Sequence, residues 1–347
     1  MLHILSDMFL ISHTKDFRFS AKGAVLCIGN FDGVHLGHQQ MLSAGRKLAR
    51  QRKLQFVVIT FNPHPMRILK PHQPRPPLMT TTQRLEGLMQ YEPDVLWMVK
   101  TDQAFLNITA EDFMRNIMVN TIRTKVVVEG SNFTFGKGAR GTVDTLRNQA
   151  SQHGWKVVVI PTQQAVLQDL SLVDVSSSLI RWLISHGRVT DAHRLLGHAY
   201  TLRGTVAHGA GRGKIMGYPT LNIQSEQLLP AHGVYAGKAI IGEQSYPAAI
   251  SVGNNPTFNG TETTVEAFVL DFSDTVYEKQ VDIEFISWLR DQHKFSGPAA
   301  LTAQIQRDVE QIRRCLKDRP HRRKATVGST ITGKKQPHSI GKAQDGR

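Results

Sequence analysis

The sequence predicts two domains of different fold class, a parallel α/β domain followed by an antiparallel β-barrel with a terminal helix. Two observations carry this prediction. Between residues 24 and 161 short apolar runs alternate with helical patterns, whereas between residues 200 and 289 strand-like runs follow one another with only turn residues between them. A length of 347 residues allows each domain a core of its own. We expect the domains to span residues 1–186 and 187–318, with a separate tail at 319–347.

The first half of the sequence is predicted to form strands that are joined by helices. The strands are VLCIG after Ala24, LQFVVITF, VLWMV, KVVVE and WKVVVIP. The helices are expected at residues 38–52, near 82–91, from Thr109 with Asp112 three residues on, and at 143–153, where Gly154 ends the pattern. Strands joined by helices of this length pair in parallel, which places a ligand crevice at their carboxyl ends.

The second half predicts an antiparallel sheet or small barrel, because its apolar runs are separated by turn residues alone. These runs are YTLRGTVA, GVYAGKAIIG, YPAAISVG, TVEAFVLDF and VDIEFISWL. After Pro298 the apolar residues recur at helical spacing, which predicts a helix that packs through one face. The residues of this stripe are Leu301, Ile305, Val309, Ile312 and Leu316.

Composition excludes several classes of protein. With 40% hydrophobic and 20% charged residues the chain is neither generally disordered nor fibrous. Cys27 and Cys315 are the only cysteines, which excludes a disulfide framework and a cysteine-based zinc finger. The sequence contains no run of 18 apolar residues and no basic start followed by an apolar stretch. We therefore expect a cytoplasmic protein without a membrane span.

The net charge of +14 first suggests a nucleic-acid partner, but its distribution weakens that interpretation. The last 29 residues, 319–347, hold eight Lys or Arg and one acid, so half of the excess lies in a tail without apolar periodicity. We expect this tail to be disordered, and we favour a solvated terminus over an arm that binds polyanions. Nucleic acid is not an expected partner.

A glycine-rich turn follows the first strand of the sheet and opens a helix. It comprises Gly29, Asn30, Phe31, Asp32, Gly33, Val34, His35, Leu36, Gly37 and His38. The glycines let the backbone approach a ligand, and the start of the helix offers free N–H groups to an anion. His35 and His38 fall on one helical face, where they can donate hydrogen bonds to phosphate oxygens. The alternatives are an incidental surface pair or a weak metal pair, and the glycine-rich setting favours the anion site.

Three later segments place polar side chains at the same edge of the sheet. They are Asn62 and His64 in TFNPHP, Asn132 in GSNFTFG, and Ser176, Ser177 and Arg181 in SSSLIR. The serines of the last segment either cap a helix or bind phosphate. Since capping needs only one serine, Arg181 within the first turns favours a phosphate site.

These four motifs, in this order, resemble the adenylyltransferase half of the bacterial bifunctional riboflavin kinase/FAD synthetase family, within the nucleotidyltransferases that carry an H-x-G-H turn. The resemblance implies a Rossmann-like domain. It assigns His35 and His38 to the ATP phosphates and Asn132 to nucleotide placement. Further ATP-binding residues implied by it are Gly29, Asn30, Phe31, Asp32, Gly33, Gly37, Ser176, Ser177 and Arg181, with Asn62 and His64 at the flavin side of the crevice. The sequence departs from the family at Ser131–Thr134, where many members have an Asp-Phe-Arg run, and at Ser178, where Thr is usual.

The densest glycine cluster of the second half lies at residues 208–222. Its expected ATP-binding residues are Gly211, Arg212, Gly213, Lys214, Gly217 and Pro219. A P-loop is excluded, because the Gly-x4-Gly-Lys-Ser/Thr spacing is missing and no helix follows. Thr220 and Asn222 lie two apart on the next predicted strand, hence on one face, where their oxygens could hold Mg²⁺ together with phosphates.

Glu266 stands out in the strand TVEAFVLDF because its neighbours on both faces are apolar. A carboxylate there loses hydration, which is costly unless the group has a partner or a task. One interpretation is an ion pair with a distant Arg or Lys. The other is chemical: an alcohol that attacks a phosphoryl group benefits from a carboxylate that accepts its proton.

The second half resembles riboflavin kinase through LLGHAYTLRG, GRGKIMGYPTLN, LLPAHGVYAG, AISVGNNPTF and VEAF. The resemblance implies a riboflavin-kinase-like barrel, assigns Thr220 and Asn222 to Mg–ATP, and makes Glu266 the catalytic base at the riboflavin 5′-hydroxyl. The family's Pro-Thr-Ala-Asn is Pro-Thr-Leu-Asn here. Lys214 replaces a common arginine, which keeps the charge but not the bidentate fork.

The two resemblances together imply a bifunctional enzyme that converts riboflavin to FMN and FMN to FAD with ATP and Mg²⁺, acts on small molecules, and is a monomer or weak homo-oligomer. Two rival functions fit the sequence less well. A class I aminoacyl-tRNA synthetase fragment would share the H-x-G-H turn but would carry a lysine-rich loop, and SSSLIR has no lysine. A flavin-binding or nucleic-acid-binding regulator that has lost catalysis would be expected to lack catalytic positions such as His38 and Glu266, which are present. The alternatives that stay open are another H-x-G-H nucleotidyltransferase, or a flavin-binding protein with only one active half.

Overall fold

The computed structural model describes residues 9–11, 19–73, 75–209, 217–254 and 263–317. The predicted flap residues Gly211, Arg212, Gly213 and Lys214, and the tail at 319–347, lie outside these ranges. Within them, no helix is long and apolar enough to cross a membrane. Cys27 and Cys315 are free thiols.

The first half is a six-stranded parallel sheet in the order β1-β4-β3-β2-β5-β8, which confirms the predicted α/β class. Its core strands are apolar runs because helices cover both faces; β2 is buried at every position. Two further pairs, β6-β7 and β9-β10, form small antiparallel ribbons. The strands of this half are β1 (Phe9–Ile11), β2 (Ala24–Ile28), β3 (Gln55–Asn62), β4 (Val95–Lys100), β5 (Thr124–Gly130), β6 (Thr134–Phe135), β7 (Gly141–Thr142), β8 (Lys156–Ile160), β9 (Gln164–Val166) and β10 (Leu172–Asp174).

The helices follow the predicted pattern, with changes of detail. They are α1 (Leu36–Arg52), α2 (Pro65–Leu69), α3 (Thr81–Met89), α4 (Gln103–Leu106), α5 (Ala110–Asp112), α6 (Val143–Asn148), α7 (Ala150–His153), α8 (Ser177–Ser185), α9 (Val189–Leu196) and α10 (Pro298–Lys317). Thr109 caps α5 by accepting a hydrogen bond from the Asp112 N–H at 3.0 Å, as the sequence predicts. The helix then continues as a π-helix over Phe113–Thr121. The predicted helix at 143–153 is two short helices, α6 and α7.

The second half is a closed six-stranded antiparallel barrel in the order β11-β12-β15-β14-β13-β16. Its strands are β11 (Tyr200–Ala207), β12 (Thr220–Gln224), β13 (Gly233–Ile241), β14 (Gln244–Asn254), β15 (Thr263–Val269) and β16 (Gln280–Arg290). Side chains alternate between the filled interior and the outer face: Val265, Ala267 and Val269 are buried, and Glu266 and Phe268 between them are half-buried. Closure removes the exposed strand edges of an open sheet.

The terminal helix α10 packs on the outside of the barrel through the predicted apolar stripe. Ile312 is buried against Ala236 and Leu270, with Val309 and Leu316 partly buried beside it. The predicted packing is confirmed for Val309, Ile312 and Leu316, whereas Leu301 and Ile305 are not part of this cluster. The Asp308 carboxylate, on the same helix, accepts hydrogen bonds from the Arg290 guanidinium at 2.7 to 3.2 Å and ties the helix to the end of β16.

Hydrogen bonds from the glycine-rich turn and from α1 join the α/β half to the end of α9 and to the residues that lead into the barrel. Gln39 Nε2, on α1, donates to the carbonyl of Leu196 at 2.7 Å. His198 Nε2 lies 3.1 Å from the carbonyl of Gly33. Helices α8 and α9 share a hydrophobic cluster with the barrel interior, so they join the two halves.

Candidate active sites

The glycine-rich turn after β2 requires three residues in the left-handed region. Phe31, Gly33 and Val34 have φ of 50°, 88° and 36°. The Phe31 ring is fully buried and meets the His38 ring edge-on at 5.2 Å, while Gly33 packs against Leu78 on the side away from the crevice. Phe31 and Gly33 therefore do not line the crevice, and the role their geometry supports is to shape the turn.

His35 and His38 form a stacked pair at the start of α1, with ring centroids 3.6 Å apart. His35 Nδ1 caps the helix by accepting a hydrogen bond from the His38 N–H at 3.4 Å. Burial lowers the pKa of His35 to about 4. Burial, and then the charge of His35, lower the pKa of His38. Both imidazoles are therefore neutral at pH 7, and each can donate one ring N–H to a phosphate oxygen.

Three histidines at this edge make the stability of the fold sensitive to acid. Burial lowers the pKa of His35 and of His64 to about 4, and it also lowers the pKa of His38. The unfolded chain, with histidine pKa values of about 6.5, binds more protons than the folded chain below that pH. The free energy of unfolding should thus fall as the pH drops from about 6.5 towards 4.

The variant His35→Gln tests this expectation, because glutamine stays neutral. Its stability relative to the parent should rise as the pH is lowered from 6.5 to 4, measured by urea denaturation. His72→Gln, in an exposed loop, is the control. A stability difference between His35→Gln and the parent that is constant over this range would contradict the account.

A crevice of about 450 Å³ lies at the carboxyl ends of β2, β5 and β8, and most of the predicted nucleotide residues line it. These are Gly29, Asn30, Asp32, His35, Gly37, His38, His64, Asn132, Ser176, Ser177 and Arg181. Asn62 lines a neighbouring cavity instead. The parallel sheet thus brings together segments that are as much as 150 positions apart in the sequence.

Several polar groups of this crevice already have partners within the protein. The Asp32 carboxylate accepts hydrogen bonds from the backbone N–H groups of Leu78 at 3.0 and 3.1 Å and forms an ion pair with Arg181. Ser176 caps α8, and the Ser177 hydroxyl donates to the carbonyl of Asp32 at 2.8 Å. These contacts fix the start of α8 beside the start of α1, so that two helix N-termini face one crevice.

Sequence reasoning missed two arginines at this edge. Arg84 is buried and donates to the carbonyls of Asn30 at 3.1 Å and Phe61 at 2.8 Å, which holds the ends of β2 and β3 together. Arg75 is exposed and lines the crevice from the loop before α3. A basic residue among the prolines of HQPRPP is a signal that could have found Arg75, whereas the α3 pattern gives none for Arg84.

Glu129 is a third residue that sequence reasoning missed. It ends the apolar run KVVVE, is only 1% exposed, lines the crevice, and accepts a hydrogen bond from the Ile28 N–H at 2.7 Å. Burial raises the pKa of this carboxyl well above its ordinary value. A charged residue at the end of a buried strand was the available signal.

The substitution Glu129→Gln should stabilise the protein at neutral and alkaline pH. The pKa of Glu129 is higher in the folded state than in the unfolded chain, where it is about 4.3. Above pH 4.3 the folded state therefore binds more protons than the unfolded state, and the free energy of unfolding falls as the pH rises. Glutamine stays neutral and can still accept from Ile28 N–H. We expect the melting temperature of Glu129→Gln to exceed that of the parent by about 2 °C or more at pH 8 and by less at pH 5. Glu243→Gln, in an exposed turn, is the control; an excess that does not grow with pH would refute the assignment.

The second candidate site lies on the outer face of the barrel. Thr220 and Asn222 occupy alternate positions of β12, as predicted, and Glu266 of β15 pairs directly opposite Asn222. The Thr220 hydroxyl donates a hydrogen bond to Glu266 Oε2 at 3.4 Å. Gly209 leaves room for the Asn222 amide, since a Cβ at that position would clash with it.

Glu266 is half-buried on this face, because Val265 and Ala267 take the interior positions. Its polar contact in the described part of the chain is a hydroxyl rather than an arginine or lysine, so no ion-pair partner of the kind considered above is found there. Gly217, with φ of 80°, and Pro219 lead into β12 beside Thr220. The strands thus place a carboxylate, an amide and a hydroxyl together.

Two family models match the chain. One, described as FAD synthetase, covers residues 18–173, and the other, described as riboflavin kinase, covers residues 196–316. The first range contains the H-x-G-H turn and most of the crevice, and the second contains the barrel and nearly all of α10.

Relatives match over most of the chain. The bifunctional riboflavin kinase/FMN adenylyltransferase of Listeria monocytogenes serovar 1/2a is 31% identical over 293 residues, 83% of this chain and 91% of the relative. The Bacillus subtilis protein of the same name is 31% identical over 294 residues, with the same two coverages. A solved structure named as a macrolide-efflux protein from Streptococcus pneumoniae aligns with a TM-score of 0.78 and 31% identity over 88% of this chain and 99% of that chain. With both domain models in order on one chain and relatives matched over this length, the chain belongs to the bifunctional riboflavin kinase/FMN adenylyltransferase family.

Proposed function

We propose that this chain catalyses two consecutive steps: phosphorylation of riboflavin to FMN in the barrel, and adenylylation of FMN to FAD in the α/β half. The observation that carries the proposal is the presence of two different sites on one chain. One site has a stacked pair of neutral histidines at a helix start, and the other sets Glu266 opposite Asn222 on a barrel face. The first suits phosphate anions, and the second suits a hydroxyl that must lose its proton.

In the adenylylation step a phosphate oxygen of FMN attacks the α-phosphorus of ATP. The bond from that phosphorus to the β-phosphate oxygen breaks, and pyrophosphate leaves. The FMN phosphate is already anionic at neutral pH, so the site needs orientation and charge stabilisation rather than a base. His35, His38 and the first N–H groups of α1 and α8 are the donors we assign to this charge.

In the kinase step the 5′-hydroxyl oxygen of riboflavin attacks the γ-phosphorus of ATP, and ADP leaves. The hydroxyl proton moves to the Glu266 carboxylate as the new bond forms. Glu266 is suited to this task because it lies at the surface of the barrel, within reach of a bound alcohol, and not in the filled interior.

We further propose that Mg²⁺ serves the kinase site. The Thr220 hydroxyl and the Asn222 amide oxygen are the hard oxygen ligands that Mg²⁺ prefers, and they lie on one strand face. When bound, the ion neutralises charge on the phosphates of ATP. The adenylyltransferase step is also expected to use Mg–ATP.

We propose domain limits of 1–186 for the adenylyltransferase, 187–318 for the kinase and 319–347 for the tail. The two family models, at 18–173 and 196–316, fall on either side of the first boundary. We also propose a cytoplasmic enzyme that acts on small molecules as a monomer or weak homo-oligomer. Light scattering over a concentration series measures the association state.

The test is direct. The purified chain is incubated with riboflavin, ATP and Mg²⁺, and riboflavin, FMN and FAD are separated at intervals. FMN should appear first and FAD later, with one pyrophosphate released for each FAD. Accumulation of FMN alone would contradict the adenylyltransferase assignment, and unchanged riboflavin would contradict the kinase assignment.

A further inference from the structure

Gln39, on α1, joins the glycine-rich turn to the segment that leads from α9 into the barrel. We call that segment, residues 196–199, the linker. Nε2 of Gln39 donates to the carbonyl of Val34, in the turn, at 2.8 Å, and to the carbonyl of Leu196, in the linker, at 2.7 Å. The amide group has two hydrogens, and each of them is used on a different segment.

His198 makes a second bridge of the same kind. Its Nε2 lies 3.1 Å from the carbonyl of Gly33, in the turn, and its Nδ1 lies 2.9 Å from the carbonyl of Ala199, in the linker. A carbonyl oxygen can only accept, so a ring nitrogen must carry a hydrogen wherever its bond forms. The doubly protonated ring makes both bonds, and the neutral tautomer with a hydrogen on Nε2 keeps the bond to Gly33.

The two bridged carbonyls of the turn flank a single residue. The Gly33 carbonyl belongs to the peptide group before Val34, and the Val34 carbonyl belongs to the peptide group after it. Val34 has a φ of 36°, in the left-handed region that a β-branched residue rarely adopts. Such a conformation persists only where the surrounding structure fixes it. The bridges from Gln39 and His198 hold both peptide groups, so they set the direction in which the chain leaves Val34.

That direction decides where the two histidines of the turn lie. His35 follows Val34 directly, and α1 begins at Leu36, so His35 and His38 move with the Val34 peptide groups. Preorganised donors stabilise a transition state when they already lie where its charge develops. A displacement of about 1 Å in such a site can cost about 10² in rate. The bridges therefore bear on catalysis through the placement of the histidine rings.

The linker can serve as an anchor because the barrel holds it in place. It leads directly into β11, whose first residue, Tyr200, is buried in the core that α8 and α9 share with the barrel. Gly197 ends α9 with a φ of 77°, and a Cβ there would lie 2.8 Å from the Leu36 side chain, so the linker packs closely on the start of α1. The riboflavin kinase family model begins at residue 196, which assigns this anchor to the second half of the chain.

The two bridging side chains lie outside both candidate active sites. Gln39 and His198 line a separate cavity, of about 380 Å³, that shares no lining residue with the nucleotide crevice. The linker joins the start of β11, whereas Asn222 of the kinase site pairs with Ala207 at the other end of that strand. An effect of either side chain on FAD formation must therefore pass through the turn.

We propose that Gln39 and His198 are positioning residues for adenylyl transfer, which tie the glycine-rich turn to the linker and so hold His35 and His38 in place at the ATP phosphates. The inference rests on the proposed function. It makes the adenylyltransferase rate depend on His198, a residue of the kinase half that contacts neither substrate.

The variants His198→Asn and His198→Gln form a matched pair that tests the bridge. The asparagine amide lies near the position of Nδ1 and is too short to reach Gly33, whereas the glutamine amide extends about as far as Nε2 and can donate there. With FMN and ATP saturating, His198→Asn should lower the kcat for FAD formation about tenfold, and His198→Gln should stay within about threefold of the parent. The KM values for FMN and ATP should change less than kcat, and riboflavin phosphorylation should keep the parent rate in both variants.

His186→Asn, at an exposed position after α8 and outside the cavity, is the control and should leave both activities unchanged. Gln39→Leu carries the same expectation as His198→Asn and serves if that variant fails to fold, which melting curves show. The parent kcat in a folded His198→Asn or Gln39→Leu protein would overturn the inference. An equal loss of FAD formation in His198→Gln, or an equal loss of riboflavin phosphorylation, would also overturn it. Failure of the proposed function is distinguishable, because the parent protein itself would then form no FAD from FMN.

Discussion

His38→Ala is expected to lower the rate of FAD formation from FMN by about 10² or more, the usual cost of removing one preorganised donor to a charge that develops in the transition state. The ring lies at the start of α1 and stacks on His35 at 3.6 Å, so alanine removes both the donor and the support of its partner. Riboflavin phosphorylation takes place on the barrel and should stay close to the parent rate.

The measurement is initial rates of the two reactions on the same preparation, one from FMN and one from riboflavin. His153→Ala, at the end of α7 and outside the crevice, is the matched control and should leave both rates intact. Equal losses of the two activities in His38→Ala would show a general structural effect and would argue against a role at the ATP phosphates.

Glu266→Gln is expected to lower riboflavin phosphorylation by about 10²–10⁴, the range typical for loss of a general base. Glutamine keeps the shape of the side chain and its contact with Thr220, but it cannot take up the hydroxyl proton. FAD formation from added FMN should be unaffected by this change.

The kinase assay should show the loss in kcat, with the KM values for riboflavin and ATP within a few fold of the parent. Glu284→Gln is the matched control, since Glu284 is also a half-buried carboxylate on the outer face of the barrel, on β16. If Glu266→Gln bound both substrates and turned over at the parent rate, Glu266 would be a structural carboxylate and the base assignment would be wrong.

The fold class was predictable because it follows from local periodicity. Alternating apolar runs and helical patterns predicted a parallel α/β sheet, and the structure confirms it. Strands that follow one another without helices predicted an antiparallel sheet or barrel, and the structure contains a closed barrel. The shared face of Thr220 and Asn222 is also a local feature, readable from their spacing of two residues. Ser176 caps α8, although the sequence pattern favoured a phosphate site over a cap. The small ribbons β6-β7 and β9-β10 escaped prediction because strands of two or three residues leave little periodicity.

The parts of the sites that could not be predicted depend on contacts between distant residues. Asp32 lies in the middle of a glycine-rich motif that is typical of ligand-binding sites. Its carboxylate nevertheless accepts hydrogen bonds from the Leu78 N–H and from Arg181, and Arg181 is 149 positions away in the sequence. Arg84 holds two strand ends together because its guanidinium donates to the carbonyls of Asn30, after β2, and Phe61, in β3. Neither pairing leaves a local pattern in the sequence.

Glu266 illustrates the limit of strand patterns. Apolar neighbours on both faces of the strand predict a carboxylate that has lost its hydration. The alternation of residues does not show, however, which face of the strand turns towards the barrel interior. The structure places Val265 and Ala267 inside and leaves Glu266 half-exposed on the outer face. This position favours the chemical interpretation, because a substrate can reach the carboxylate there.

One chain that holds two separate sites for consecutive reactions can be tested by complementation. His38→Ala, Glu266→Gln and their mixture are each supplied with riboflavin, ATP and Mg²⁺. We predict that His38→Ala accumulates FMN, that Glu266→Gln leaves riboflavin unchanged but converts added FMN to FAD, and that the mixture makes FAD from riboflavin. If either folded variant alone lost both activities, the two reactions would depend on one shared site, which contradicts the assignment of two separate sites.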